Sequence, residues 1–275
     1  MDIYQTVERF YESVTTEKCI IGKSVFGRNL YAVKVGRGYP VGLAQYAMHG
    51  REYITALIAL HHYAQDLPIG SFWLVPLINP DGALLSQVGI ESVKNEKDKQ
   101  RLIEYNGGVN DFSQWKANGR GVDLNVNFPA LWGKGAKNTR VAGAENYIGE
   151  YPFSEPETLA LKKFTEKIKP DYTISYHTKG EEIYWYFYQS MRTCPRDKRL
   201  ALAVSTSTGY ALSHAKGSAG GYKDWCVRSL KIPSLTIEAG RDCLQHPITE
   251  KDAGEILQKN ERVLYDITKE YLLLE

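Results

Sequence analysis

The chain has 275 residues, 43% of them hydrophobic and 24% charged, close to the average for folded globular chains, which excludes a disordered or collagen-like polymer. Thirty-four Lys and Arg against 32 Asp and Glu leave a formal charge of +2 with no long basic run, so nucleic acid is not an expected partner. The longest apolar stretches, residues 54–60 and 72–78, fall well short of the roughly 20 residues a membrane-spanning helix needs, and no membrane partner is expected.

Residues 1–14 carry Asp2 and Glu8 and lack the basic stretch and apolar core of a secretory leader, so the chain reads as cytoplasmic unless a leader has been removed. Ile3, Val7, Phe10, Tyr11 and Val14 recur at three- and four-residue steps and predict an amphipathic helix over 3–16. Residues 19–25 and 28–36 predict a hairpin or neighbouring strands around Phe26-Gly27, closed by Gly36, Gly38 and Pro40. A short apolar run to Gly50 leads into a helix that ends before Pro68, and residues 71–78 suit a strand buried on both faces.

Residues 90–154 are rich in Gly, Asn and charge and have little periodicity, so long loops of the kind that carry function are expected there. A helix with acids in its first turn follows at 155–168, then an alternating strand at 171–177, a β-prone run at 182–188 and a helix at 199–210. A strand at 232–240 and an amphipathic helix at 252–274 close the chain. Strands alternate with helices without a repeat or a linker, which predicts a single α/β domain over 1–275. Cys19, Cys194, Cys226 and Cys243 form no C-x-x-C pair, so four reduced, mostly buried thiols are expected rather than a disulfide framework or a thiolate zinc site.

His49 and Glu52 stand at i and i+3 after a strand, a spacing that lets an imidazole and a carboxylate converge on one Zn²⁺. On its own, H-x-x-E more often marks a solvated helix face. His177 ends an apolar strand, where the sheet of an α/β protein presents side chains to a ligand crevice, and adds a third donor. Two histidines and a carboxylate leave a fourth position for water, the open arrangement of a catalytic zinc. Glu238 ends the strand IPSLTIEAG and is placed to take the proton of that water as it attacks.

At these residues the sequence resembles the zinc carboxypeptidase family, M14 or funnelins. HGREYIT at 49–55, NPDG at 79–82, NGRGVDLNVNFP at 118–129, SEPET at 154–158, SYHTKG at 175–180, GGYKDW at 220–225 and TIEAG at 236–240 follow the family's order. The resemblance implies a single-domain mixed, mainly parallel twisted sheet of about eight strands flanked by helices, and one Zn²⁺ per chain held by His49, Glu52 and His177. It implies Glu238 as general base and then acid, Arg120 at the oxyanion, Asn125 at the substrate's carboxylate side and Arg51 further from the cut. Where the family has an arginine in D-L-N-R-N, this chain has Val126, which cannot make the bidentate contact that clamps a C-terminal carboxylate.

HTKGEEIYW at 177–185 and GGYKDW resemble a bacterial subgroup that cuts the γ-D-glutamyl–diaminopimelate bond of cell-wall peptides. The implied function is a zinc metallopeptidase acting on a cell-wall-derived muropeptide, with Lys179, Glu181 and Glu182 as recognition candidates. The alternatives are a metallocarboxypeptidase on ordinary L-peptides, a zinc deacylase on N-acyl amino acids and a non-catalytic metal-containing binding module. Ungapped matching puts Lys216 at the family's pocket-capping tyrosine, with Tyr210 and Tyr222 nearby. Plainer readings apply to His61 and His62 as helix-surface or packing residues, His214 and His246 as loop residues without partners, Asp224-Trp225 as a loop anchor, and Tyr184–Tyr188 as a half-buried strand. Oligomeric state is left open.

Overall fold

The computed structural model describes residues 1–214 and 217–275. In chain order its elements are α1 (Ile3–Ser13), β1 (Lys18–Lys23), β2 (Asn29–Gly36), β3 (Val41–Tyr46), α2 (Thr55–Ala64), β4 (Ser71–Val75), α3 (Pro80–Val88) and α4 (Glu96–Tyr105). Then follow α5 (Pro156–Ile168), β5 (Tyr172–His177), β6 (Glu182–Tyr184), α6 (Cys194–Thr208), β7 (Ala211–Ser213), α7 (Tyr222–Trp225), β8 (Ser234–Glu238), α8 (Ala253–Asn260) and α9 (Val263–Leu272).

The strands form one eight-stranded mixed sheet in the order β1-β2-β4-β3-β5-β8-β6-β7. β4, β3, β5 and β8 run parallel in its centre, while β2 and β6 join them antiparallel on either side. Every residue of β4 is buried, as a continuous apolar run flanked by helices on both faces must be, and β5, which alternates in sequence, is buried on both faces as well, Thr173 and Ser175 included. On one face Tyr46, Leu74, Tyr172 and Tyr176 pack with Ile58 of α2, Val204 of α6 and Ile267 of α9. On the other, Leu43, Trp73 and Val75 pack with Leu161 and Phe164 of α5 and Trp225 of α7.

The parallel direction of β3, β5 and β8 gathers their C-terminal ends at one edge. His177 and Glu238, the last residues of β5 and β8, are partners in the ladder, and the turn after β3 carries His49 and Glu52 to the same edge.

Four expectations need correction. Residues 90–154 include α4, which the absence of an apolar stripe concealed: it buries only Leu102 and is started by the Asn95 side chain, which accepts from the Lys97 and Asp98 amides. The run at 182–188 pairs only to Tyr184, because its partner β7 is three residues long; Trp185 and Phe187 leave the ladder and turn inward. The C-terminal helix is two helices, α8 and α9, separated at residues 261–262. All four cysteines are free, but only Cys226 is buried; Cys19 and Cys194 are half-buried and Cys243, in the loop after β8, is exposed.

Candidate metal and catalytic site

His49, Gly50 and Glu52 form a tight turn directly after β3. A side chain at Gly50 would collide with the Gly82 carbonyl and come within 2.8 Å of Trp115 O, so glycine lets this turn lie against the 115–117 segment. His49 Nδ1 lies 2.8 Å from Glu52 Oε1, His177 Nδ1 lies 2.9 Å from Glu52 Oε2, and the two Nδ1 atoms are 3.1 Å apart. All three side chains are almost completely buried.

Ligand atoms of His49, Glu52 and His177 all lie within 4.8 Å of one another. Burial alone would raise the Glu52 carboxyl, but the two imidazoles outweigh it and hold the group well below the usual carboxylate range. Two imidazole nitrogens and a carboxylate aimed at one point, away from bulk water, are a donor set suited to zinc.

Behind the donors stands a second set of charges. Asp123 Oδ1 lies 3.2 Å from His49 Nε2, and its other oxygen lies 3.1 Å from Lys116 Nζ. A carboxylate behind a metal-binding imidazole fixes the ring's orientation and raises its basicity. Burial alone would raise the Asp123 carboxyl, but Lys116 and His49 dominate and keep it ionised.

A cavity of about 380 Å³ opens over this cluster, lined among others by His49, Asn125, Val126, Tyr184, Lys223 and Glu238. Desolvation at its wall, partly offset by His177, pushes the Glu238 carboxyl up to about 7. A larger open groove of about 680 Å³ between α6 and α9 brings together no such donors; its charges are largely paired with one another, as in Arg199–Glu270 and Arg262–Asp266.

The sequence matches the zinc carboxypeptidase family model, Peptidase_M14, over residues 3–252. The chain belongs to the zinc carboxypeptidase family. It is 32% identical over 251 residues to gamma-D-glutamyl-L-diamino acid endopeptidase 1 of Lysinibacillus sphaericus, covering 84% of this chain and 62% of that protein. It is 29% identical over 155 residues to murein peptide amidase A of Escherichia coli strain K12, covering 51% of this chain and 55% of that protein. Each match thus spans less than two thirds of the relative's length. The fold is similar to that of bovine thrombin-activatable fibrinolysis inhibitor, solved in complex with a tick carboxypeptidase inhibitor. That likeness has a TM-score of 0.79 at 20% identity over 100% of this chain and 98% of the other.

The zinc carboxypeptidase family is zinc-dependent, and the His49–Glu52–His177 cluster of this member can hold a metal ion. Of the other residues singled out from the sequence, Asn125, Val126 and Glu238 line the cavity, whereas Arg51, Arg120 and Lys179 are not among its lining residues. Arg51 reaches Gln114 O at 3.4 Å and Glu145 at 3.8 Å, and Lys179 reaches Asp242 at 3.0 Å. Arg120 is 52% exposed and lies 3.8 Å from Glu155. Glu181 pairs with Lys259, and Glu182, opposite Glu238 in the ladder, accepts from the Tyr184 hydroxyl.

Neither described tyrosine caps the pocket. Tyr210 is buried with its hydroxyl on Asn260, and Tyr222 is buried with its hydroxyl on Thr165; Lys216 lies outside the described residues. His62 packs as expected for a helix-core histidine. His214 does have partners, stacking on Tyr186 with ring centroids 5.2 Å apart, and it lines the cavity. Asp224 does anchor its loop by accepting from the Gly221 amide, yet it also lines the cavity beside Lys223, at 2.6 Å. Lys116, Asp123 and Lys223 were missed as site residues, although Lys116 lies just before the matched 118–129 segment, Asp123 within it and Lys223 within GGYKDW.

Proposed function

We propose that this chain is a zinc-dependent peptidase that hydrolyses the amide bond between γ-D-glutamate and a diamino acid, diaminopimelate, in cell-wall peptides. The observation that carries the reading is the cavity that His49, a member of the His49–Glu52–His177 cluster, shares with Glu238, the ladder partner of His177, with Val126 and Lys223 on its wall. The similarity to a gamma-D-glutamyl-L-diamino acid endopeptidase and to a murein peptide amidase supports the same substrate class.

The donor set fits one Zn²⁺ held by His49, Glu52 and His177. When bound, zinc supplies Lewis acidity that polarises a carbonyl and eases the loss of a proton from water. Glu238 takes the proton of the attacking water and returns it to the leaving amine; a carboxyl near neutrality suits both transfers. Val126 offers no charge to a substrate carboxylate. Lys223 does: its ammonium has three donors, of which Asp224 takes one at 2.6 Å and Tyr186 O a second at 3.4 Å. The remaining donor suits the distal carboxylate of diaminopimelate, with Asp224 beside it for the distal ammonium.

The test is release of diaminopimelate from L-Ala-γ-D-Glu-diaminopimelate by zinc-loaded protein, set beside an ordinary L-peptide and an N-acetyl amino acid. Selective release that is lost in Glu238→Gln supports the reading. Preferential cleavage of the L-peptide or the acyl amino acid overturns the substrate assignment and keeps the metal chemistry, whereas zinc binding without hydrolysis of any of the three leaves a binding module.

A further inference from the structure

We propose that Lys116 is the cation that meets the substrate carbonyl as negative charge develops on its oxygen, the role the sequence resemblance gave to Arg120. This rests on the peptidase reading above and adds a catalytic residue to it.

The backbone around Lys116 is tied to the turn that carries the metal donors. The Gly50 amide donates to Lys116 O at 3.0 Å, and the Arg51 amide donates to Trp115 O at 2.8 Å. From below, the Asn79 side-chain amide donates to Met48 O and to Ala117 O, at 3.0 and 3.1 Å. Lys116 is therefore held in register with His49 by four hydrogen bonds from three residues. Its side chain lines the same cavity as His49, Asn125 and Glu238 and is 18% exposed.

An ammonium has three N–H donors. Among the described residues Asp123 is the one ion-pair partner of Lys116, at 3.1 Å, so donors are left for a group in the cavity. Burial would lower the lysine's pKa, but Asp123 and Glu52 outweigh it, and Lys116 stays positively charged through the neutral range.

Arg120 has none of this. It is half-exposed, its guanidinium faces Glu155 at 3.8 Å, and it is not among the residues that line the cavity. Its backbone amide is turned onto Asn118 Oδ1 at 2.9 Å, in a loop four residues along the chain from Lys116.

Attack of water on an amide carbonyl places a full negative charge on the carbonyl oxygen while the C–N bond is still intact, and the charge returns when the amine leaves with a proton from Glu238. A positive group already in place for that charge acts on the transition state more than on the bound substrate. A lysine does this as a compact point charge on a flexible stem, with one donor on Asp123 and another on the carbonyl.

The experiment compares Lys116→Met, Lys116→Gln, Lys116→Arg and Arg120→Met in zinc-loaded protein, measuring kcat, KM and bound zinc on whichever of the three substrates above the wild type hydrolyses best. Lys116→Met and Lys116→Gln are expected to lower kcat by about 10²–10³ with KM within a few-fold and zinc retained. Gln keeps a polar N–H donor on the side facing Asp123 without the charge, and retained zinc in both variants guards against simple misfolding. Lys116→Arg is expected to recover most of the loss, and Arg120→Met to stay within a few-fold of wild type.

A large kcat loss in Arg120→Met with little in Lys116→Gln overturns the proposal. So does loss of zinc in the Lys116 variants with full rate restored by excess zinc, which reduces Lys116 to a prop for Asp123 and His49. The choice of substrate tests the proposed function; the ratio between variants on that substrate tests Lys116.

Discussion

His62 and His177 are equally buried, each 1% exposed, and Tyr176, the residue before His177, packs its ring 5.5 Å from that of His62. Their environments differ in one respect. His62 Nδ1 accepts from the Tyr46 hydroxyl at 2.7 Å while Nε2 donates to Asn260 O at 2.9 Å, so both ring nitrogens are used within the fold. His177 Nδ1 instead faces another imidazole at 3.1 Å and a carboxylate at 2.9 Å, and its Nε2 has no hydrogen-bond partner among the described residues. Burial of a histidine thus says little about its role. A surplus of acceptors aimed at one point says much more, because a fold gains nothing by crowding donors of lone pairs unless a cation joins them.

The largest effect is expected from exchanging the two. His177→Ala removes a donor from the cluster and is expected to abolish both zinc binding and hydrolysis, read as zinc per chain and kcat/KM. His62→Gln is expected to leave both within a few-fold; loss of zinc there would erase the distinction drawn between the two histidines. Next in size is Glu238→Gln, expected to lower kcat by about 10²–10⁴ with zinc retained. An unchanged rate would remove Glu238 from the proton transfers.

Lys223→Met sharpens the contrast on the recognition side. It is expected to cost about 10–100-fold in kcat/KM on a diaminopimelate substrate, the scale of one charged hydrogen bond, and little on the same peptide ending in a residue without a distal carboxylate. An equal loss on both would make Lys223 a structural partner of Asp224.

The smallest effect lies in the pH dependence of stability. Burial pushes His62 down to about 4 from its ordinary 6.5, so the folded state holds fewer protons than the unfolded chain in that interval. The contribution is fully present above about 6.5 and is lost as pH falls through about 4, amounting to as much as about 3 kcal/mol. Denaturant titrations of the metal-free protein between pH 7 and 4 should show this acid slope, and His62→Gln should flatten it.

Much of this was legible in the chain. The alternating segments announced an α/β sheet, and the doubly buried strand at 71–75 was visible as a continuous apolar run because a parallel central strand has no wet face; the strand at 172–177 alternates in sequence, and only the tertiary structure shows that Thr173 and Ser175 are buried with the rest. The H-x-x-E spacing and a histidine and a glutamate at strand ends marked donors, since local geometry alone puts i and i+3 on one side of a turn. α4 was not legible, because a helix that buries one leucine leaves no stripe to read. Nor was the contrast between Arg120 and Lys116, four residues apart in the same glycine-rich segment and equally basic on paper.

By itself, then, the order of residues determined most of the element types, the family and the identity of the strand-end and turn residues, because propensity, periodicity and short motif spacing are local properties. The tertiary structure alone decided which charges share a cavity. The parallel register sets His177 beside Glu238, the glycine at 50 lets the 115–117 segment close on the metal turn, and α7 brings Lys223 and Asp224 to the wall that Val126 leaves uncharged. Those meetings join chain segments about 60 to 100 residues apart, and electrostatic interaction follows distance in space rather than along the chain.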